Sequence, residues 1–311
     1  FAADPSFILE GLQLEQRMGE LDDADGRLDS AAAHFRRAVA EGRALVASPR
    51  APDSARRELA TALALLGDVQ GGVLRQNLGD PEGARRSYAE AVAIVDAWLA
   101  SDPRSGERRH FSANFHARLG RALQAEGHSA EAMVELRHAI DILDAMRREF
   151  PDVTPIHRDL AGHRRSLALA LIAADRPEEA LTIVQPAVAA NQRLAAEHPD
   201  GLVDAAAFAS SGLAQAQALL ALRRPKEARS ALLAAAAPLR TTRARPDRAA
   251  ELLLARIDLA QAQAAAALGE RAAAEALRAA ARSRARSLVE AGPADVAARE
   301  LLAMAEGRPL R

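Results

Sequence analysis

An all-α, right-handed α-solenoid of about six antiparallel helical hairpins, closed by a C-terminal capping helix, is the fold class that three observations predict. The first is composition. Apolar residues make up 49% of the 311 positions but aromatics only 3%, and the sequence is rich in alanine and leucine. Helices accept that composition readily, whereas strands lean on aromatic and β-branched residues. The second is a period. Pro49, Pro103, Pro151, Pro199, Pro246 and Pro293 follow one another at intervals of 54, 48, 48, 47 and 47 residues. Proline cannot continue a helix, so each marks a stop. The third is a column of residues in the second half of each period.

That column runs Ala31, Ala84, Ala132, Ala180, Ala228 and Ala274. Four residues on come Phe35, Tyr88, Leu136, Val184 and Leu232, with Arg278 departing. Three further on come Ala38, Ala91, Ala139, Ala187, Ala235 and Ala281. Small, large, small at i, i+4, i+7 is one face of a helix packed closely on a neighbour. Each period is therefore helix, turn, helix, proline stop. The hairpins are expected at about 6–49, 54–103, 106–151, 154–199, 202–246 and 247–292, with the cap at 293–305. No linker interrupts the period, so residues 1–311 read as a single domain.

This pattern resembles the tetratricopeptide repeat (TPR), whose second helix carries a small–large–small triplet and whose first helix carries a Leu-Gly pair. Leu119-Gly120 keeps the pair, Met18-Gly19 and Leu167-Ala168 keep it approximately, and Gln215-Ala216 and Gln261-Ala262 have lost the leucine. The usual TPR repeats every 34 residues. Fourteen extra residues at 1.5 Å of rise, shared between two helices, lengthen each by roughly 10 Å.

The stretch "LGDVQGGVLRQNLGDPEGA", Leu66 to Ala84, breaks the period. From Gly67 to Ala84 is 17 residues, against 12 from Gly120 to Ala132, so the second hairpin carries a five-residue insertion. It is expected as an expanded elbow around Gly71, Gly72, Arg75 and Asn77. Neither phosphate-loop pattern is present, and no strand precedes it. "LGDVQG…NLGDPEGA" followed by long repeats is similar to the C-terminal TPR regions of bacterial eukaryotic-type serine/threonine kinases. Similar repeats stand beside winged-helix and cyclase-type regulators. The resemblance implies a regulatory or scaffolding segment of a larger bacterial signalling protein. The start at Phe1, without Met, signal peptide or lipidation motif, fits an excised piece.

Composition excludes several chemistries. With no cysteine there are no disulfides, thiolate zinc sites or cysteine nucleophile. Net charge is −1, which draws the chain to neither nucleic acid nor an anionic membrane. "HRDLAGHR", His157 to Arg164, imitates a kinase catalytic loop, but Arg164 stands where asparagine belongs and no D-F-G follows. His110/His116 and His157/His163 are six apart, about 240° of helix, so neither pair can chelate one ion; they read as ordinary, partly exposed histidines. Trp98 and Tyr88 read as core. No catalytic residue, metal site or cofactor is expected.

A partner-binding groove is expected where the first helices face the concave side. Residues six and three before the anchor glycine or alanine, and one after it, point inward there. They include Asn114 and Arg121 in the third hairpin, Arg165 in the fourth, Gln217 in the fifth and Arg256 in the sixth, with Arg118 alongside. Arginine forks bind carboxylates in bidentate fashion, so the partner is a protein or peptide with an acidic segment. Self-association into a homodimer is the second reading. The compartment is expected to be the cytoplasm, or outside it if a membrane anchor precedes the segment in its parent chain.

Overall fold

The computed structural model describes residues 4–72, 76–242, 246–292 and 296–308. It contains thirteen α-helices and, among the described residues, no strand. They pair in chain order as α1 (Pro5–Ala24) with α2 (Leu28–Val46), α3 (Ser54–Gly71) with α4 (Pro81–Ser101), and α5 (Gly106–Ala125) with α6 (Ser129–Glu149). Then follow α7 (Thr154–Ala173) and α8 (Pro177–Glu197), α9 (Leu202–Ala221) and α10 (Pro225–Thr241), α11 (Arg248–Ala267) and α12 (Arg271–Ala291), and the lone α13 (Val296–Glu306). Pro293, where the cap was expected to begin, lies outside the described residues. No described helix is long and apolar enough to cross a membrane.

By packing, the chain divides into two compact units, Phe1–Ile156 and His157–Arg311. In the first, α1 packs on α2, α3 on α4 and α5 on α6; α2 also packs on α3 and α4 on α5. First helices pack across hairpins, α1 on α3 and α3 on α5, whereas among the described residues the second helices α2 and α4 meet through the Arg43–Glu90 ion pair. The first helices therefore form the inner layer. In the second unit α9 packs on α10 and α11 on α12, α8 on α9 and α10 on α11, while α9 touches α11 and α13 closes over α12. Each unit is a stack of helical hairpins, a TPR-like solenoid.

The anchor residues explain how a hairpin closes. A Cβ added at Gly19 would fall 2.5 Å from Phe35 Cε1, at Gly67 2.8 Å from Tyr88 Cε1, and at Gly120 2.8 Å from Leu136 Cγ. The large residue of the second helix thus fills the space that the first helix vacates. Where the large residue is Val184 or Leu232, the anchor column holds a fully buried Ala168 or Ala216 instead.

The inter-hairpin seam is equally regular. Ala55, Leu59, Ala62, Leu66 and Val69 of α3 are buried, as are Ala250, Leu254, Ile257, Gln261 and Ala264 of α11. Their i, i+4, i+7, i+11, i+14 spacing is one stripe of a helix, covered by the second helix of the preceding hairpin.

Helix starts follow the local sequence. Asp80 Oδ1 accepts from the Gly83 N–H at 2.8 Å, Asp247 Oδ1 from Ala250 at 2.8 Å, and Pro81, Pro177 and Pro225 occupy first-turn positions that need no N–H. Each hairpin turns through one left-handed residue: Gly26, Gly79, Gly127, Asp175, Arg223 and Gly269, with φ between 56° and 85°. Two of the six are not glycine. Not every proline is a stop, either. Pro186 sits inside α8 and Pro238 inside α10. The Pro186 ring points to solvent, where the helix can give up one hydrogen bond without burying an unpaired carbonyl.

Candidate functional site

The inner face of α5 is less free than its sequence suggests. Arg118 donates to both carboxylate oxygens of Asp68 on α3, and the Tyr88 hydroxyl on α4 donates to Asp68 Oδ1 at 2.6 Å. One carboxylate ties three helices together. Burial opposes the Arg118 charge, but Asp68 outweighs it and holds the guanidinium above its usual pKa. Burial, then Asp68, push the Tyr88 phenol upward, so it stays a donor. Asn114 bends back to its own helix, its Nδ2 donating to the His110 carbonyl at 3.2 Å. Arg121 is half-buried, and its charge bears on Tyr88.

The described residues between α3 and α4 are held by backbone hydrogen bonds. Leu78 N–H donates to the Val69 carbonyl and Asp80 N–H to Gln70, each at 2.8 Å, so the returning chain lies along the end of α3. Asn77 fixes the turn from both sides. Its Nδ2 donates to the Gly72 carbonyl at 3.1 Å and its Oδ1 accepts from the Gly79 N–H at 2.9 Å. Gly71 sits where a Cβ would come within 2.7 Å of Pro81 Cα, so the close approach requires glycine. Arg75 lies outside the described residues.

The second unit holds a different arrangement. Arg165 on α7 is half-buried, with its Nε shut off from solvent and without a hydrogen-bond partner. Burial, and then the charge of Arg256 on α11, push its guanidinium below the usual value. Arg256 is exposed, and Gln217 on α9 is half-buried. The two arginines therefore bear on one another's charge within this unit, and neither makes an ion pair with any described carboxylate. An incoming carboxylate or phosphate would be stabilised by both forks.

Two polar clusters were not visible in the sequence. His116 and His163, expected as partly exposed, are both buried. His116 is covered by the second helices on both sides of α5, α4 and α6. His116 Nδ1 lies 2.5 Å from Glu135 Oε2 on α6, and its Nε2 lies 3.2 Å from Asp96 Oδ1 on α4. Ser112 also donates to Asp96, and the His138 ring stacks edge-on at 4.3 Å. Burial disfavours the imidazolium, but hydrogen bonds to the two carboxylates prevail and raise its pKa to about 9. Asp96 is held below the usual carboxylate range despite its burial, chiefly by His116. The pairings run 19 and 20 residues along the chain, from α5 to both neighbours, a distance at which spacing carries no signal. The second cluster surrounds Trp98, whose indole N–H donates to Asp53 at 3.2 Å while the Arg108 guanidinium lies 4.9 Å over the ring. Trp98 and Tyr88 are buried, as core residues should be. Among the described residues no group of three His, Asp or Glu side chains could hold a metal ion.

No family model matches the sequence, and no curated protein matches it. Solved structures do. BtubC (BKLC) from P. vanneervenii is 18% identical, with 84% of this chain and 92% of that one covered at a TM-score of 0.61. A Podosopora anserina putative kinesin light chain with nearly identical TPR-like repeats is 21% identical, covering 78% and 100% at 0.50. The fold is that of a TPR protein. At these identities the likeness concerns architecture alone.

Proposed function

We propose that the chain is a non-catalytic scaffold that binds a protein or peptide, and that the inner face of its second unit receives an acidic segment of that partner. The observation that supports this most directly is the unneutralised pair Arg165 and Arg256. A half-buried guanidinium without a counter-charge costs stability, and a fold retains it most readily where a ligand supplies the missing carboxylate. Gln217, half-buried on α9, is the amide the sequence offers to the same groove. In the first unit, by contrast, Arg118 already has its carboxylate in Asp68, which leaves the anion-binding capacity with Arg165 and Arg256. The long repeats and the expanded elbow after "LGDVQG" favour a cytoplasmic regulatory segment of a bacterial serine/threonine kinase; attachment to a winged-helix or cyclase-type regulator is the alternative.

The test is an array of random 12-residue peptides probed with the wild-type chain and with an Arg165→Met, Arg256→Met double variant. Wild type should retain peptides enriched in Asp and Glu, more strongly at low salt, and the double variant should lose the enrichment. Arg165→Met alone should melt higher than wild type, because it removes an uncompensated charge. An identical peptide profile for both chains would remove the acidic segment from the reading.

A further inference from the structure

We infer that two copies of the chain associate through α1, packed antiparallel against its own counterpart across a two-fold axis. The seam that α3 and α11 bury lies open on α1. Positions equivalent to Ala55, Leu59, Ala62, Leu66 and Val69 of α3 are Phe7, Gly11, Leu14, Met18 and Leu21. In α3 each is at most 7% exposed, whereas Phe7 is 70%, Leu14 59%, Met18 41% and Leu21 67% exposed. No described element covers the stripe on α1.

The spacing of the stripe alternates three and four residues, the seam of a two-helix coiled coil. Gly11 is small and Leu14 large. In an antiparallel pair the Leu14 of one copy enters the space over Gly11 of the other, and Phe7 meets Met18, each contact occurring twice. Charge selects the same register. Glu10 and Arg17 flank the stripe on one side, both exposed, and neither is ion-paired within the described structure. This register sets Glu10 of each copy opposite Arg17 of the other. Sliding the pair by one heptad would set Arg17 against Arg17, so the alternative is repelled. A parallel arrangement gives no such complement. The surface is self-complementary, as a closed two-fold interface requires. The inference does not depend on the peptide-binding reading, because α1 lies in the first unit and Arg165 and Arg256 in the second.

The experiment is sedimentation equilibrium of the 311-residue chain over a concentration series, with four variants whose changed side chains are all exposed. Wild type should pass from one chain mass to two. Leu14→Glu should remain at one, with an unchanged circular dichroism spectrum. Glu10→Arg and Arg17→Glu should each raise the dissociation constant by at least about tenfold, since each sets like charges face to face twice. The two single variants mixed together should recover association. In the mixed pair the two substituted side chains face each other with opposite charge, and the unchanged Arg17 of one copy faces the unchanged Glu10 of the other. The double variant Glu10→Arg, Arg17→Glu should also dimerise. A wild-type chain that keeps the mass of one copy throughout overturns the inference and leaves the seam to a different helix. Dimerisation that Leu14→Glu does not disturb, or single charge variants whose mixture stays monomeric, overturns it as well.

Discussion

Replacing His116 by Gln should make the stability of the first unit lose a component that depends on pH. His116 is raised to about 9 from an ordinary value of 6.5 because Asp96 and Glu135 both accept from its ring. The difference of roughly 2.5 units, at 1.36 kcal/mol each, amounts to about 3 kcal/mol. Asp96 is 45% exposed on its side chain, so solvent screens part of this and about 2 kcal/mol is the working figure. The sign follows from which state holds the proton more tightly. Below about pH 6.5 the unfolded histidine is also protonated and the full stabilisation is present. Between about 6.5 and 9 the unfolded chain releases its proton while the folded chain keeps it, so stability falls as pH rises. Urea denaturation followed by circular dichroism, at about pH 6 and about pH 9.5, should show wild type losing about 2 kcal/mol more than His116→Gln. NMR titration of the imidazole checks the cause. A difference between the two chains that stays flat across this range, or a His116 midpoint near 6.5, would refute the reasoning.

Three further outcomes follow from the packing. Gly67→Ala should destabilise by about 1–3 kcal/mol, since its Cβ would land 2.8 Å from the Tyr88 ring, whereas Gly162→Ala, with nothing within 4 Å, should stabilise by about 0.5–1 kcal/mol; paired thermal melts decide both. Asp175→Gly and Arg223→Gly should each raise the melting temperature, by relieving about 1 kcal/mol of left-handed backbone strain at φ 57° and 56°. Asp68→Ala should cost about 2–4 kcal/mol in urea denaturation because it strands Arg118 and the Tyr88 hydroxyl together, and Arg118→Met should cost less.

The fold was legible because its two determinants are local and periodic. Proline spacing marks the hairpin ends, and the column from Ala31 to Ala274 marks the face that must close on Gly19, Gly67 or Gly120. The departure of Leu66 to Ala84 from the period was legible for the same reason, as a defect in a repeat. Side-chain pairing was not. Asp68 and Arg118 lie 50 residues apart, and Asp96, His116 and Glu135 come from three helices, so their contact depends on rotation about each helix axis. Arg118 and Arg165 look alike in sequence, yet one has a carboxylate within reach and the other has a second arginine. The left-handed elbows were partly hidden because Asp175 and Arg223 occupy positions that glycine would have announced.

The elbow of the second hairpin bears on how such a chain can change over time. Its two ends are held together by the Leu78–Val69 and Asp80–Gln70 backbone bonds, and Asp80 begins α4 at once. Those bonds fix how the end of α3 meets the start of α4. Doubling the length of a flexible loop costs only about 0.6 kcal/mol in closure entropy. This corner is therefore the place where the protein can gain residues, and with them a new recognition element, while every other hairpin keeps its neighbours.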